Sequence, residues 1–297
     1  MIINELKQFV NDNPTLVKMR LCENYPELCV LKYSKSVFYN NLWNNFLEEC
    51  RGTIVDEDFN LISYPFTKIY NYGIEDKSPV FDLSTNVNAY RKINGFMVAV
   101  TMYCCDILVS TTGSTDSDYV KMARELIEPN IDKYRKTCKE HPEYTFMFEC
   151  VHRNDPHIIP EQEGMYLLGC RKKVIGSKIL HDPYILMGLA RMLNCFWPES
   201  VTTNMARLSA MAKECKHEGY VAYTDNGVSF KIKSPYYLTL KWLARNPRTD
   251  KLMSNNFKKQ IDEEYYPLLS HIRENIVEYT ALTEQERLDW IRAFYEK

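Results

Sequence analysis

The stretch that decides the fold reads Asn88-Ala-Tyr-Arg-Lys92-Ile-Asn-Gly95-Phe-Met-Val-Ala-Val-Thr-Met-Tyr103. A lysine is followed at the third place by a glycine. Behind them Phe96, Val98, Val100 and Met102 alternate with less apolar neighbours, which predicts a half-buried strand. Lys92 therefore falls at a strand end or tight turn, and Gly95 lets a ligand approach the backbone there. A lysine so placed is a nucleophile when nearby positive charge or desolvation lowers its pKa. The bland alternative is a solvated surface lysine.

Working outward, the strand gains a hairpin partner in Asp106-Ile-Leu-Val-Ser-Thr. Thr111-Thr-Gly113-Ser-Thr-Asp-Ser marks a turn and a helix start, and apolar spacing predicts a helix over 117–137. Tyr144-Thr-Phe-Met-Phe-Glu149-Cys-Val151 reads as a buried strand with one carboxylate. That carboxylate is costly unless bonded, so it serves either a function or a structural salt bridge. His152, Asp155 and His157 have the look of metal ligands, but no second cluster completes a tetrahedron and a turn fits better. Gly164 to Cys170 is a further strand, and helices fit 181–195 and 202–215.

Glu218-Gly219 leads a strand to Tyr223, and Asp225-Asn226-Gly227 is a strong hairpin turn. On the return strand Lys231 and Lys233 alternate with Phe230 and Ile232, so both ammonium groups share one face. Neighbouring like charges repel unless an anion lies between them, which favours a phosphate site over a plain solvated face.

Toward the N-terminus, a helix fits 2–11, a strand Leu28 to Tyr33, and a short helix 40–48. Glu49-Cys-Arg51-Gly52 opens a strand, and Leu61 to Tyr64 is its neighbour. Pro65-Phe-Thr-Lys68-Ile-Tyr70-Asn71-Tyr72-Gly73 is basic, aromatic and irregular. It lines a nucleotide pocket or caps a sheet edge. The tail is helical from about 236, with helices over 255–277 and 284–296. The last opens on a capping box, Thr283 and Glu286, with Leu288, Ile291 and Phe294 turned inward.

The chain has 297 residues, enough for one large domain or two unequal ones. Hydrophobic content of 45% and charged content of 26% suit a globular protein with a real core. A net charge of -2 argues against coating nucleic acid by bulk charge, but leaves room for a local basic groove. No apolar run spans a bilayer, and the first residues lack a signal peptide's pattern, so no membrane association is expected. The 10 cysteines form no Cys-x-x-Cys pair. Several, among them Cys104, Cys150 and Cys170, read as free core thiols in a reducing cytoplasm.

The order Arg-Gly, aromatic-Lys, Lys-x-x-Gly, strand Glu, Glu-Gly, Lys-x-Lys resembles the covalent nucleotidyltransferase superfamily of ligases and capping enzymes. More narrowly it resembles the phage-type ATP-dependent RNA ligases of tRNA repair. The segments are Glu49-Cys-Arg51-Gly52, Pro65-Phe-Thr-Lys68, Lys92-Ile-Asn-Gly95, Phe148-Glu149, Ile158-Ile-Pro160, Glu218-Gly219 and Lys231-Ile-Lys233-Ser.

The resemblance implies an α+β nucleotidyltransferase fold, ATP-grasp-like, with antiparallel sheets and flanking helices. An adenylyltransferase domain would cover 1–240 and a small helical domain 241–297. It implies an ATP-dependent RNA ligase using Mg²⁺ or Mn²⁺. Lys92 would take AMP from ATP, pass it to an RNA 5′-phosphate, and a 3′-hydroxyl would displace it. Gly95, Tyr33, Arg51 and Lys68 would bind the nucleotide, Glu149 its ribose, and Lys231 and Lys233 its α-phosphate. Glu218 and Gly219 would lie near Lys92, with Glu218 reaching a metal through water. Tyr237 would serve sealing. The implied partners are RNA with 5′-phosphate and 3′-hydroxyl ends, including tRNA, and a polynucleotide kinase/phosphatase. The implied setting is cytoplasmic and phage- or virus-encoded.

Asn94 stands where the phage enzymes carry Asp; with Gly164-Met-Tyr-Leu-Leu-Gly169 it is similar to the fungal tRNA ligases. Thr112 stands where the phage enzymes carry a second lysine in Ser-Lys-Gly-Ser. Two rival readings follow. One is a catalytically impaired nucleic-acid-binding homologue. The other is a DNA ligase or capping enzyme, although the helical tail is no oligonucleotide-binding barrel.

Overall fold

A computed structural model describes residues 2–74 and 77–295. The chain forms two compact units, each discontinuous in sequence. The first comprises Met1–Tyr70, Gly95–Asp155 and Glu161–Ser200; the second comprises Asn71–Asn94, Pro156–Pro160 and Val201–Lys297. The chain thus leaves one unit and enters the other between Asn94 and Gly95.

The first unit holds two antiparallel sheets. One is a meander of Val17–Cys22, Tyr25–Tyr33, Arg51–Val55 and Leu61–Ser63. The other runs in the order Ile179–Leu180, Gly164–Lys172, Tyr144–Val151, Phe96–Tyr103, Asp106–Thr111. The predicted hairpin after Gly95 is present, with Val100 opposite Val109. On its other side Met97 faces Glu149. The strand is more buried than alternation implied: Val98, Ala99, Val100 and Thr101 are all inside. It is central, packed between the helix Ile131–Glu140 and the strand Leu61–Ser63 of the facing sheet. A strand covered on both faces loses its period-two pattern.

The strand Val17–Cys22 carries no such pattern, and sequence reading passed over it. It is an edge strand whose four middle residues, Lys18 to Leu21, are all exposed. The expected single helix over 117–137 is two, Asp118–Ile127 and Ile131–Glu140, joined by a 3₁₀ turn. Pro129 has no N–H to continue the ladder. The short helix expected over 40–48 resolves into Lys35–Tyr39 and Asn45–Glu49, the latter capped by the Asn44 side chain. Cys104 sits exposed at a hairpin tip rather than in the core, while Cys150 and Cys170 are buried thiols as expected.

A buried ion pair ties the first unit together. Arg171 Nη1 meets Glu49 Oε2 at 3.1 Å. The same guanidinium donates to the carbonyls of Pro65 and Ser177 and stacks 3.6 Å above the Tyr64 ring.

In the second unit the strands lie in the order Ser200–Asn204, Asn86–Arg91, Gly219–Thr224, Ser229–Lys233, with the two-residue strand Tyr70–Asn71 at the edge. Val87, Ala89, Ala222 and Phe230 meet Met205 and Leu208 of the helix Met205–Glu214. The expected helix over 202–215 starts later, because Ser200–Asn204 is a strand and Asn204 caps the helix by accepting from Arg207 N–H. The tail is helical as predicted, but the long helix over 255–277 is broken into Asn255–Lys258, Tyr266–Glu274 and Ile276–Ala281. Pro267 sits in the first turn of the second of these. The tail core gathers Leu240, Leu243, Leu268, Ile272, Tyr279, Leu288 and Ile291. The capping box closes both ways, Thr283 N–H to Glu286 at 2.7 Å and Glu286 N–H to Thr283 Oγ1 at 3.3 Å. Among the described residues no helix is long and apolar enough to cross a membrane.

Candidate active site

Lys92 leaves the sheet just after the strand Asn86–Arg91, so its backbone is still held while its side chain turns away. Its N–H donates to the Gly219 carbonyl at 2.8 Å. Its ammonium donates to Glu218 Oε2 at 2.9 Å and to the Ile93 carbonyl at 3.3 Å. Lys233 reaches the other oxygen of the same carboxylate, Oε1, at 3.1 Å. Asn94 Nδ2 donates to Oε2 at 2.8 Å. Glu218 thus receives two ammonium groups and an amide, with its side chain only 3% exposed.

The Glu-Gly pair is explained by packing. Gly219 has φ +125°, and a Cβ there would lie 2.1 Å from the Ile232 carbonyl. Only glycine fits, and that close approach brings the end of the Ser229–Lys233 strand, with Lys233, beside Glu218. Ser234 fastens the same corner: its hydroxyl donates to the His217 carbonyl at 2.6 Å and accepts from Tyr237 N–H.

Asn94 also acquires a reason. Its amide oxygen accepts from Ile159 N–H at 2.9 Å while its nitrogen donates to Glu218. An aspartate could accept but not donate, and would set a second negative charge against Glu218.

Electrostatics follow from this crowding. Burial raises the Glu218 pKa, but the ammonium groups of Lys92 and Lys233 outweigh it and hold the carboxyl below its ordinary range. The Tyr237 hydroxyl is pushed up to about 12 by burial and by the Glu218 carboxylate, so at neutral pH it is a proton donor. Lys233 lies over the Tyr237 ring, 4.9 Å from its centroid. Lys231, expected on the Lys233 face, is two places back on the same strand, opposite Val221.

The remaining expected residues belong to the first unit. Gly95 N–H donates to Glu149 Oε1 at 3.2 Å. A Cβ on Gly95 would meet the Cys150 carbonyl at 2.3 Å, so the close approach its lack of side chain allows is to the protein's own strand. Glu149 is buried. Lys68 lies between two rings, 5.0 Å from the Trp43 centroid and 4.6 Å from that of Tyr70. Tyr33 packs edge-on against Trp43. Arg51 donates to the Thr67 carbonyl at 3.0 Å. Tyr33, Arg51 and Lys68 therefore form one aromatic and basic neighbourhood, to which Trp43 belongs unannounced by any sequence signal.

Lys32 was also missed. A Cβ on Gly113 would lie 2.6 Å from the Lys32 ammonium. The Thr111–Ser114 loop, which has threonine at 112, thus has an ammonium laid across it from a neighbouring strand. Gly52, at φ +97°, packs onto that loop, where a Cβ would come 2.8 Å from Thr112 Cα.

The histidine cluster after Glu149 is a turn: the buried His152 ring contacts Glu125 and accepts from Asn154 N–H. Among the described residues no three His, Cys, Asp or Glu side chains gather as a metal cage.

No family model matches the chain. In sequence it is 24% identical, over an alignment of 338 positions, to an RNA ligase of Rhodothermus phage RM378, covering 88% of this chain and 76% of that one. In structure it is similar to an archaeal ATP-dependent RNA ligase, with a TM-score of 0.61 and 13% identity over 96% of this chain and 80% of that one. It is also similar to a candidate ATP-dependent DNA ligase from Aquifex aeolicus, with a TM-score of 0.53 and 15% identity over 99% and 75% of the two chains. The chain therefore has the nucleotidyltransferase fold of the ATP-dependent ligases and is a sequence relative of a phage RNA ligase.

Proposed function

We propose that the chain is an ATP-dependent RNA ligase that joins a 3′-hydroxyl end to a 5′-phosphate end through a lysyl-AMP on Lys92. The observation that carries this reading is the buried carboxylate of Glu218, shared by Lys92 and Lys233. An amine must shed its proton to attack phosphorus. Glu218 holds the Lys92 amine in place, and Lys233 on the same carboxylate sets a second cation beside it to answer a phosphate. Lys92 Nζ then attacks the α-phosphorus, the N–P bond forms, the bond to pyrophosphate breaks, and the proton leaves the amine. An RNA 5′-phosphate oxygen next takes the AMP and frees Lys92. A 3′-hydroxyl finally attacks the 5′-phosphorus and AMP departs.

The other residues take roles in the same scheme. Lys231 and Lys233 offset charge at the α-phosphate. Glu149 accepts from the ribose hydroxyls, Gly95 borders the nucleotide, and Tyr33, Arg51 and Lys68 hold its phosphates and sugar. Tyr237, a neutral hydroxyl beside Lys233, serves the sealing step, and Gly219 keeps Glu218 in place. The donor set suits a hydrated Mg²⁺ or Mn²⁺ carried by phosphates, with Glu218 contacting it through water. Such an ion offsets charge on the triphosphate. The adenylyltransferase module covers 1–240 and the helices of 241–297 are its appendage. The substrates are repair ends, tRNA among them, prepared by a polynucleotide kinase/phosphatase in the cytoplasm.

Sealing of a labelled 5′-phosphorylated single-stranded RNA in the presence of ATP and Mg²⁺ tests the reading. Circularised or joined RNA is expected from the wild type and none from Lys92→Ala. Joining of DNA ends in preference to RNA would move the reading to a DNA ligase. ATP binding without joining or adenylylation would leave a binding homologue.

A further inference from the structure

The helix Pro235–Arg245 places Tyr237, Lys241 and Arg245 four residues apart, on one face. Lys241 is half-buried, and its ammonium lies 5.5 Å from the centroid of the Tyr237 ring that Lys233 also approaches. Arg245 is paired with Glu284 at 2.7 Å, whereas among the described residues no carboxylate pairs with Lys241. Glu218, the carboxylate that Lys241 senses, is already divided between Lys92 and Lys233. Lys92, Lys233 and Lys241 thus outnumber the carboxylate they share. Burial, and then the charges of Lys233 and Arg245, pull Lys241 below the ordinary lysine range. A partly desolvated cation in that position is stabilised by an external anion.

Resting on the ligase reading above, we infer that Lys241 binds a backbone phosphate of the polynucleotide strand, and that Tyr237, Lys241 and Arg245 mark the path of that strand along the helix. Successive members of this row rise about 6 Å along the axis. One nucleotide reaches a single step of such a row, while a strand follows it. Lys241 is thus a substrate-positioning residue for the sealing step, separate from the lysines assigned to ATP.

The test compares wild type, Lys241→Gln and Lys241→Arg in two reactions, with melting curves to verify folding. One is self-adenylylation with ATP. The other is joining of chemically pre-adenylated RNA to a 3′-hydroxyl strand without ATP. Lys241→Gln is expected to slow joining about tenfold more than adenylylation, the loss of one charge-assisted hydrogen bond. Lys241→Arg should restore most of the joining. The slope of RNA affinity against salt should fall by about one for Lys241→Gln. Adenylylation impaired with joining intact would assign Lys241 to the triphosphate instead. Equal rates and an unchanged salt slope would make it a solvated lysine. Wild-type protein that neither labels nor joins would refute the ligase reading, and the salt slope with 5′-phosphorylated RNA would still decide whether Lys241 meets phosphate.

Discussion

Glu49 in the first unit and Glu218 in the second are both carboxylates withdrawn from water against cations, yet their surroundings differ in stoichiometry. Glu49 meets one guanidinium, and Arg171 spends its remaining donors on the carbonyls of Pro65 and Ser177 and its face on Tyr64. Among the described residues that pair is matched charge for charge. Glu218 meets two ammonium groups and an amide, with Lys241 close by and, among the described residues, without a carboxylate of its own. A matched buried pair holds a fold together; a carboxylate outnumbered by cations leaves positive charge for a phosphate to answer.

The largest effect should come from Lys92→Ala. It should abolish covalent AMP attachment while leaving melting temperature near that of wild type, because Lys92 contributes little to a core. Residual labelling of that variant would break the assignment. Next, Arg171→Ala should cost about 3–5 kcal/mol of stability, since Glu49, largely withdrawn from water, would lose its countercharge. Chemical denaturation measures this, and a cost near that of a surface pair would place Arg171 outside the matched class. Lys233→Ala should lower the adenylylation rate by about tenfold or more, with a far smaller effect on stability than Arg171→Ala. If the two variants changed stability equally, the contrast between the two carboxylates would fail.

A pH dependence sharpens the comparison further. The Glu218 pKa lies below its ordinary value of 4.5 in the folded protein. Its ionisation therefore stabilises the fold above that pH, and the contribution is lost as pH falls through the lower folded value. Glu218→Gln should be less stable than wild type at neutral pH, and the gap should close in acid. A gap that widened in acid would reverse the sign. The smallest effect is expected at Thr283→Ala, about 1 kcal/mol for loss of the capping hydroxyl.

Much of this was legible in the sequence because it is local. The Lys92 turn, the hairpin at Asp225-Asn226-Gly227, the strand of Glu149 and the Thr283–Glu286 cap depend on neighbours a few residues away. What escaped depends on partners distant in the chain. Lys32 crosses to Gly113, and Lys68 lies over Trp43, through contacts between segments far apart in the chain that no spacing announces. Lys241 reads as one more helix lysine until it is seen to have no paired carboxylate among the described residues. Asn94 is a departure from the phage pattern until Ile159 N–H and Glu218 are found on its two ends. The edge strand Val17–Cys22 escaped for the opposite reason: its middle is solvated, so burial left no mark on its residues.

The most direct test of the central claim is peptide mass mapping after incubation with ATP and Mg²⁺. The account predicts a single AMP adduct on the peptide containing Lys92, lost in Lys92→Ala and weakened in Lys233→Ala. An adduct on another residue, or ATP bound with no adduct at all, would contradict it.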